Sequence, residues 1–323
     1  MVLVFTSTPP HHLVLVVLVL LLISVFSPIC FAKCHVDDEA GLLAFKSGIT
    51  QDHGLLSSWI PGTDCCKWSG VRCLNTDYDR VTNLILYGDS TVPNGSLTGT
   101  ISPSLFIKAQ QLSRISIESH PNLTGTLPKE IFNLPNLVYI SMRYTKLSGL
   151  LSIDDKTPKS TRFKQLSLVA NQFTGPIPNS ISQFTHLIAL DLNDNKFSGG
   201  IPYGIRYLRK LVHMSLDNNQ LSGQIPDIFS LFAFKELTLS YNKLSGRIPP
   251  SLSSLAPELV LFRASHNALT GRIPDYIANF KQLIDLDLSY NRLSGPIPKT
   301  KFPAESFLGN AGLCGSPLPP CKN

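Results

Sequence analysis

The sequence lacks the short motifs of cofactor and metal chemistry. It contains no G-x-G-x-x-G, no phosphate-binding G-x-x-x-x-G-K-S/T and no H-E-x-x-H. No Cys-x₂-Cys pair exists either, which argues against a zinc cluster, so neither a metal nor a cofactor is expected. Cysteine is missing from the whole stretch between Cys73 and Cys314. That long middle must hold together by apolar packing and hydrogen bonds alone. After residue 32 there is no second apolar span and no kinase, so the chain is not expected to signal across a membrane by itself. Charge is sparse as well, with Asp, Glu, Lys and Arg at 15% of 323 residues and a formal net charge of +6.

What is present is repetition. Leu187, Leu190, Leu192, Asn195 and Phe197 form L-x-x-L-x-L-x-x-N-x-F. Its asparagine recurs at Asn171, Asn195, Asn219, Asn242, Asn267 and Asn291, and a glycine at Gly175, Gly199, Gly223, Gly246, Gly271 and Gly295. Both series step by 24, 24, 23, 25 and 24 residues, a shared register that composition alone does not produce. This is the signature of a leucine-rich repeat. The alternating leucines belong to a short strand with one face inward. The asparagine amide can bond backbone groups left unpaired by the bend that follows. In L-x-G-x-I-P, as Leu221 to Pro226, glycine permits an unusual backbone and proline fixes φ. Apolar residues then fall three apart, as Ile205/Leu208/Leu211, which suits a 3₁₀ turn. The expected fold is an α/β leucine-rich-repeat solenoid. It is a right-handed superhelix with a concave parallel β-sheet, 3₁₀ turns on the convex side and disulfide-stapled caps.

Four segments are expected: a signal peptide over 1–32, an N-terminal cysteine-containing cap over 33–80, about nine repeats over 81–298 with the first three less regular, and a C-terminal cap over 299–323. The leader reading rests on the apolar run Leu13 to Phe26 and the small residues around Ala32, although its start carries no charge. His11 and His12 fall in this discarded piece, so they are no metal site. Seven cysteines become six without Cys30, and all six lie outside the repeats, where a solenoid exposes its end coils. Asn94-Gly95-Ser96 and Asn122-Leu123-Thr124 are glycan acceptor sites in a secreted chain. The segment Asp37 to Ile49 has helix-like apolar spacing, and Trp59 and Trp68 are expected to complete the cap it forms.

Cys34-x-x-Asp37-x-Glu39-Ala40-x-Leu42-Leu43-x-Phe45-Lys46, Leu56-Ser57-Ser58-Trp59, Asp64-Cys65-Cys66-x-Trp68-x-Gly70-Val71-x-Cys73 and Arg80-Val81-Thr82 resemble the N-terminal cap of plant extracellular leucine-rich-repeat proteins. In size and repeat class the chain is similar to the polygalacturonase-inhibiting proteins of the plant cell wall. The resemblance implies disulfides Cys34–Cys65, Cys66–Cys73 and Cys314–Cys321, and a second, irregular sheet beside the concave one. It also implies that acids at the positions of Asp191 and Asp217 help hold a fungal enzyme. The chain departs from the inhibitors at Ser294 and Ala311-Gly312, where their further C-terminal disulfide is absent, and Ser306 to Asn310 instead resembles the end of receptor-kinase ectodomains.

The outward positions of the concave strands are the expected working surface. Asp191, Asp194, Asp217 and Glu236 place acid at its centre, read as unpaired and suited to a basic patch, while Glu118 with Arg143 and Arg263 with Asp287 are read as mutually neutralising. His213, Tyr144, Tyr241 and His266 complete the expected partner-binding set, with Tyr139 and Tyr290 beside it. His213, Ser215 and Asp217 alternate on one strand in a row, without the nucleophile–base–orienter arrangement of acyl transfer, so an enzyme is not expected. Lys156, Lys159, Arg162 and Lys164, and Arg206, Arg209 and Lys210, form basic clusters open to anionic pectin. The expected partner is a secreted microbial polygalacturonase or, alternatively, a receptor ectodomain or peptide signal. The expected place is the cell wall or apoplast, a compartment that argues against nucleic acid. Mass spectrometry of the secreted protein should find a chain starting at Lys33 with glycans on Asn94 and Asn122. An intact leader with free thiols is the opposite outcome.

Overall fold

The computed structural model describes residues 34–74, 79–89, 95–154, 160–229 and 234–322. The leader, Asn94, Lys156 and Lys159 lie outside the described residues. Ten strands, one after another, build the main sheet: β1 Val71–Leu74, β2 Arg80–Tyr87, β3 Arg114–His120, β4 Tyr139–Thr145, β5 Gln165–Ser167, β6 Ala189–Asp191, β7 His213–Ser215, β8 Glu236–Thr238, β9 Leu261–Arg263 and β10 Asp285–Asp287. Only β1 and β2 are antiparallel; every later pair is parallel, as a single-handed coil requires. The inward residues, such as Leu190, Met214 and Leu237, are sealed in one continuous core.

An eight-stranded second sheet runs from Ser148–Leu150 to Gly312–Cys314, made from the L-x-G segments of successive coils, and a three-stranded sheet precedes it. Gly175, Gly199, Gly223, Gly246, Gly271 and Gly295 all have positive φ there, which is why the motif fixes glycine. The Ile-Pro prolines Pro178, Pro202 and Pro274 each stand immediately before a 3₁₀ turn, with φ between −66° and −69°. Their missing N–H is no loss at a position with no partner to offer it.

The asparagine ladder carries the bends. Asn195 donates from Nδ2 to the carbonyls of Leu168 (2.8 Å), Leu192 and Asn193, and its Oδ1 accepts from the Phe173 N–H at 3.1 Å. One amide thus joins its own coil to the coil before. Asn171, Asn219, Asn242, Asn267 and Asn291 do the same. Asn310 extends the ladder into the C-terminal cap, donating to Leu288 O and accepting from Leu293 N. In the earlier coils other residues occupy this position. Thr145 donates to Asn171 Oδ1, and His120 Nδ1 accepts the Leu97 N–H at 3.1 Å.

Each end of the solenoid is closed by its own cap. Helix α1, Val36–Ser47, buries Leu42 and Phe45, and its Gly41 lets α2, Ser104–Lys108, approach: a Cβ would stand 3.1 Å from Leu105 O. Asp38, fully buried, accepts two bonds from Arg80 (2.8 and 2.9 Å) and one from the Val81 N–H, tying α1 to β2. That buried pair raises the Arg80 pKa, chiefly through its hydrogen bond to Asp38. Trp59 and Trp68 stack at 5.5 Å, each ring N–H bonded. Disulfides join Cys34 to Cys65, Cys66 to Cys73 and Cys314 to Cys321. Cys34, Cys65 and Cys66 lie close enough to resemble a metal cluster, but their sulfurs are spent in these bonds. At the far end Leu288 N donates to Ser306 O and Tyr290 N to Leu308 O, closing the last coil. Among the described residues no helix is long and apolar enough to cross a membrane.

Two outcomes follow for stability. Asn219→Ala orphans the Phe197 N–H and removes one of the two amide donors from the carbonyls of Leu192 and Leu216, which Asn195 and Asn242 still reach; a buried orphan costs ~1–3 kcal/mol and a lost bond ~0.5–1.5 kcal/mol, so urea unfolding should register a loss of about 3 kcal/mol. The exposed neighbour variant Gln220→Ala should stay within ~0.5 kcal/mol. Burial pushes the His120 pKa down to about 4, against only a weak contact with the Leu86 carbonyl, and Nε2 has no well-formed bond. The unfolded chain therefore binds the proton more tightly. Stability is fully present above the ordinary histidine value and is lost as pH falls from there toward 4, by up to roughly 3 kcal/mol. Unfolding midpoints of wild type and His120→Asn across that window should converge at neutral pH and separate in acid.

Candidate protein-binding surface

Strand register decides which side chains meet on the concave face. Ala189, His213 and Glu236 are aligned on β6, β7 and β8, and Asp191, Ser215 and Thr238 form the next column. Asp191 and Glu236 were expected to stand unpaired, and they do not. His213 lies between them, with Nε2 2.6 Å from Asp191 and Nδ1 2.6 Å from Glu236. Its pKa is raised, first by the hydrogen bond to Asp191, against the opposing effect of burial. The sequence showed three charges on neighbouring strands, but not that one ring would span both acids.

Asp217 also differs from expectation. It accepts the Ser240 N–H at 2.6 Å and the hydroxyls of Thr238 and Ser215, so it pins its coil to the next. Burial raises its pKa, and those bonds work to lower it. Glu118 plays the same part between β3 and β4, accepting Ser116 and Ser141 hydroxyls at 2.7 Å each. It makes no ion pair with Arg143, its register neighbour; the Arg143 guanidinium instead lies over the Tyr144 ring at 5.6 Å. Arg263 pairs with Asp285 rather than Asp287, whose carboxylate takes the Ser289 N–H and hydroxyl. The serines Ser116, Ser141 and Ser215 on the same face are buried beneath these neighbours. Asp194 remains at the rim, accepting from the amides of Asn193 and Asn218.

The residue just before each ladder position has positive φ: Ser119, Tyr144, Ala170, Asp194, Asn218, Tyr241, His266 and Tyr290. For a tyrosine this conformation is uncommon. The bend that sends asparagine into the core turns its predecessor outward, so these residues line up along one rim. Tyr241 stacks on His266 at 4.2 Å and His266 on Tyr290 at 4.3 Å, with rings within 15° of parallel. Gly309 ends the row. A Cβ there would stand 2.5 Å from Tyr290 Cδ1, so glycine lets the last ring lie flat. Sequence reasoning named the aromatics but missed their stacking and missed Gly309; aromatic side chains 25 and 24 residues apart were the available signal.

Beside this slab a polar cleft of about 430 Å³ is lined by Asp217, Asn218, Tyr241, Arg263 and Asp285. No nucleophile–base pair forms, because both His213 nitrogens face carboxylates and Ser215 donates to Asp217. On the 3₁₀ side Arg206 lies over Tyr203 (4.3 Å) and Tyr207 (4.6 Å), with Arg209 and Lys210 exposed nearby. Asn122 is exposed on its strand.

The leucine-rich-repeat N-terminal domain family matches residues 35–74, and the leucine-rich-repeat family matches 186–208, 210–232, 233–255 and 282–300. Leucine-rich repeat protein FLOR 1 of Arabidopsis thaliana is 36% identical over 117 residues, 36% of this chain and 33% of its own. The polygalacturonase inhibitor of Pyrus communis is 33% identical over 128 residues, 40% of this chain and 36% of its own. Receptor-like protein EIX2 of Solanum lycopersicum is 28% identical over 151 residues, 44% and 15% respectively. The matched part thus spans about a third or less of these relatives. Among solved structures, a plant ice-binding protein is similar at TM-score 0.69 and 28% identity, covering 90% of this chain and 99% of that one. The Arabidopsis receptor kinase HAESA, bound to a peptide hormone and a co-receptor, is similar at TM-score 0.63 and 36% identity, covering 68% and 36%. With its cap, ladder and repeats, the chain is a leucine-rich-repeat protein that resembles the extracellular leucine-rich-repeat proteins of plants, polygalacturonase inhibitors and receptor-like proteins among them.

Proposed function

We propose that this chain is a secreted binding protein of the plant cell wall whose concave face inhibits a microbial polygalacturonase. The observation that carries the reading is one rigid surface on which the acids Asp191 and Glu236 stand beside the Tyr241–His266–Tyr290 slab. Strands carry the acids and the ladder bends carry the rings, so little backbone order is lost on docking, and acids with aromatics suit a basic, well-packed protein surface. The nine spacings of ~4.8 Å between ten strands make an arc of roughly 40 Å, wide enough for a globular partner. Asp194 and Tyr144 extend the contact along the rim. Asp217 contributes by holding Thr238 and Ser240 in place.

The Tyr203–Arg206–Tyr207 cluster supports a second contact, with anionic pectin. A soluble partner of receptor kinases or peptide signals is the rival reading, favoured by the similarity to HAESA and by the Ser306–Asn310 cap. Ice binding, known for the similar ice-binding protein, finds less support. The second sheet's row of Thr174, Ser198, Ser222 and Ser245 is interrupted by exposed Lys196 and Lys243.

Calorimetry with a fungal endopolygalacturonase and with receptor ectodomains separates the readings. On the inhibitor reading, Asp191→Ala and Glu236→Ala should each weaken binding about 30-fold, near 2 kcal/mol. Asp217→Ala should instead lower the unfolding midpoint, because its buried donors lose their acceptor. Unchanged affinity in the first two would move the interface off the concave centre and leave the receptor-partner reading ahead.

A further inference from the structure

Resting on that reading of the concave face, we infer that His213 is a protonation gate on the acidic centre: a cationic side chain of the partner takes the place its ring holds between Asp191 and Glu236, and binding expels the proton.

The geometry sets the logic. Both ring nitrogens lie 2.6 Å from a carboxylate oxygen, Nε2 from Asp191 and Nδ1 from Glu236. Only the imidazolium carries two N–H groups, so only the protonated ring sets an N–H against each acid, as a hydrogen bond to Glu236 and a close but poorly aligned ion pair with Asp191. A neutral ring can donate to one and turns a lone pair toward the other. The cluster therefore carries a net single negative charge when His213 is protonated and a double one when it is not.

Competition from other charges is weak. On the preceding strand the group facing His213 is Asp191, and on the following strand Glu236. On its own coil Asp217 is held by Ser215, Thr238 and Ser240. The described cations of the same face are engaged elsewhere, Arg263 with Asp285, Arg114 over Tyr139 and Arg143 over Tyr144. With side-chain exposures of 32% for His213 and 49% for Glu236, the ring can swing out and a lysine or guanidinium can enter.

Linkage gives the sign. A partner cation between the acids lowers the affinity of His213 for its proton, and by reciprocity loss of the proton raises the affinity for the cation. The raised pKa places the transition above the ordinary histidine value. Acid closes the gate, and rising pH opens it.

The test uses the intact protein and octalysine as a basic probe, titrated calorimetrically at fixed low salt from roughly pH 5.5 to roughly pH 8.5 in two buffers of different protonation enthalpy. Release of about one proton gives an affinity that rises up to about tenfold per pH unit through the transition. His213→Gln should bind octalysine more tightly than wild type in acid and lose the slope. In the wild type, the His213 ring resonances should titrate at lower pH when octalysine is bound. PH-independent wild-type affinity, a slope kept by His213→Gln, or a ring titration unmoved by the probe overturns the gate. The same series with endopolygalacturonase separates the two ideas, since failure of the enzyme to bind at any pH overturns the inhibitor reading while the octalysine slope still decides the gate.

Discussion

A coil that turns sharply every 23 to 25 residues leaves backbone donors and acceptors facing an apolar core, and something must bond them. The buried asparagine amide does this with one side chain that reaches two coils. Because it carries both donors and an acceptor on a short stem, it can satisfy carbonyls of its own bend and an N–H of the previous one. Leucine could fill the volume but would orphan that N–H and leave each carbonyl with one donor fewer. The regular coil, the parallel sheet and the spacing of the concave face all depend on this bond set.

The candidate surface inherits a by-product of that geometry. Turning asparagine inward forces the preceding residue into the left-handed region and aims its side chain along the rim. Where that residue is Asp194 or Asn218, the rim offers hydrogen bonds; where it is Tyr241, His266 and Tyr290, neighbouring coils bring the rings to stacking distance. The slab is thus set by coil spacing, and its last ring by the absence of a Cβ at Gly309. A rim built this way changes by substitution at one position per coil without touching the core.

The period was legible because two residue types, asparagine and glycine, are each nearly irreplaceable in their roles. Asn310 escaped the pattern because the C-terminal cap shortens the step from Asn291 to 19 residues. His120 escaped because the accepting role, not the residue type, persists in its early coil, while Thr145 at the next such position bonds forward to Asn171. The concave acids could be placed on a face but not assigned partners. Register brings Glu118 beside Arg143, yet the nearer hydroxyls of Ser116 and Ser141 hold the carboxylate. Asp217 and Asp191 are both outward acids of the concave face, although Asp191 is in register with Ser215 and Asp217 stands two residues further along its coil. One became a fastening between coils and the other half of a histidine clamp, a difference set by Thr238 and His213 on neighbouring strands.

Two histidines then divide the acid range between them. His120 is sealed among apolar residues, so its charged form is disfavoured and its pKa falls to about 4. His213 sits half-covered between two carboxylates, so its charged form is favoured and its pKa rises. The same ring chemistry is pushed in opposite directions by apolar burial and by paired acids. From the ordinary histidine value down toward 4, the His213 clamp is charged while His120 still resists its proton. Because His213 takes up its proton above the ordinary histidine value and His120 costs stability only below it, loss of the acidic site's second negative charge precedes the loss of stability as pH drops. A binding protein with this order can change its affinity for a basic partner while its N-terminal coils stay intact.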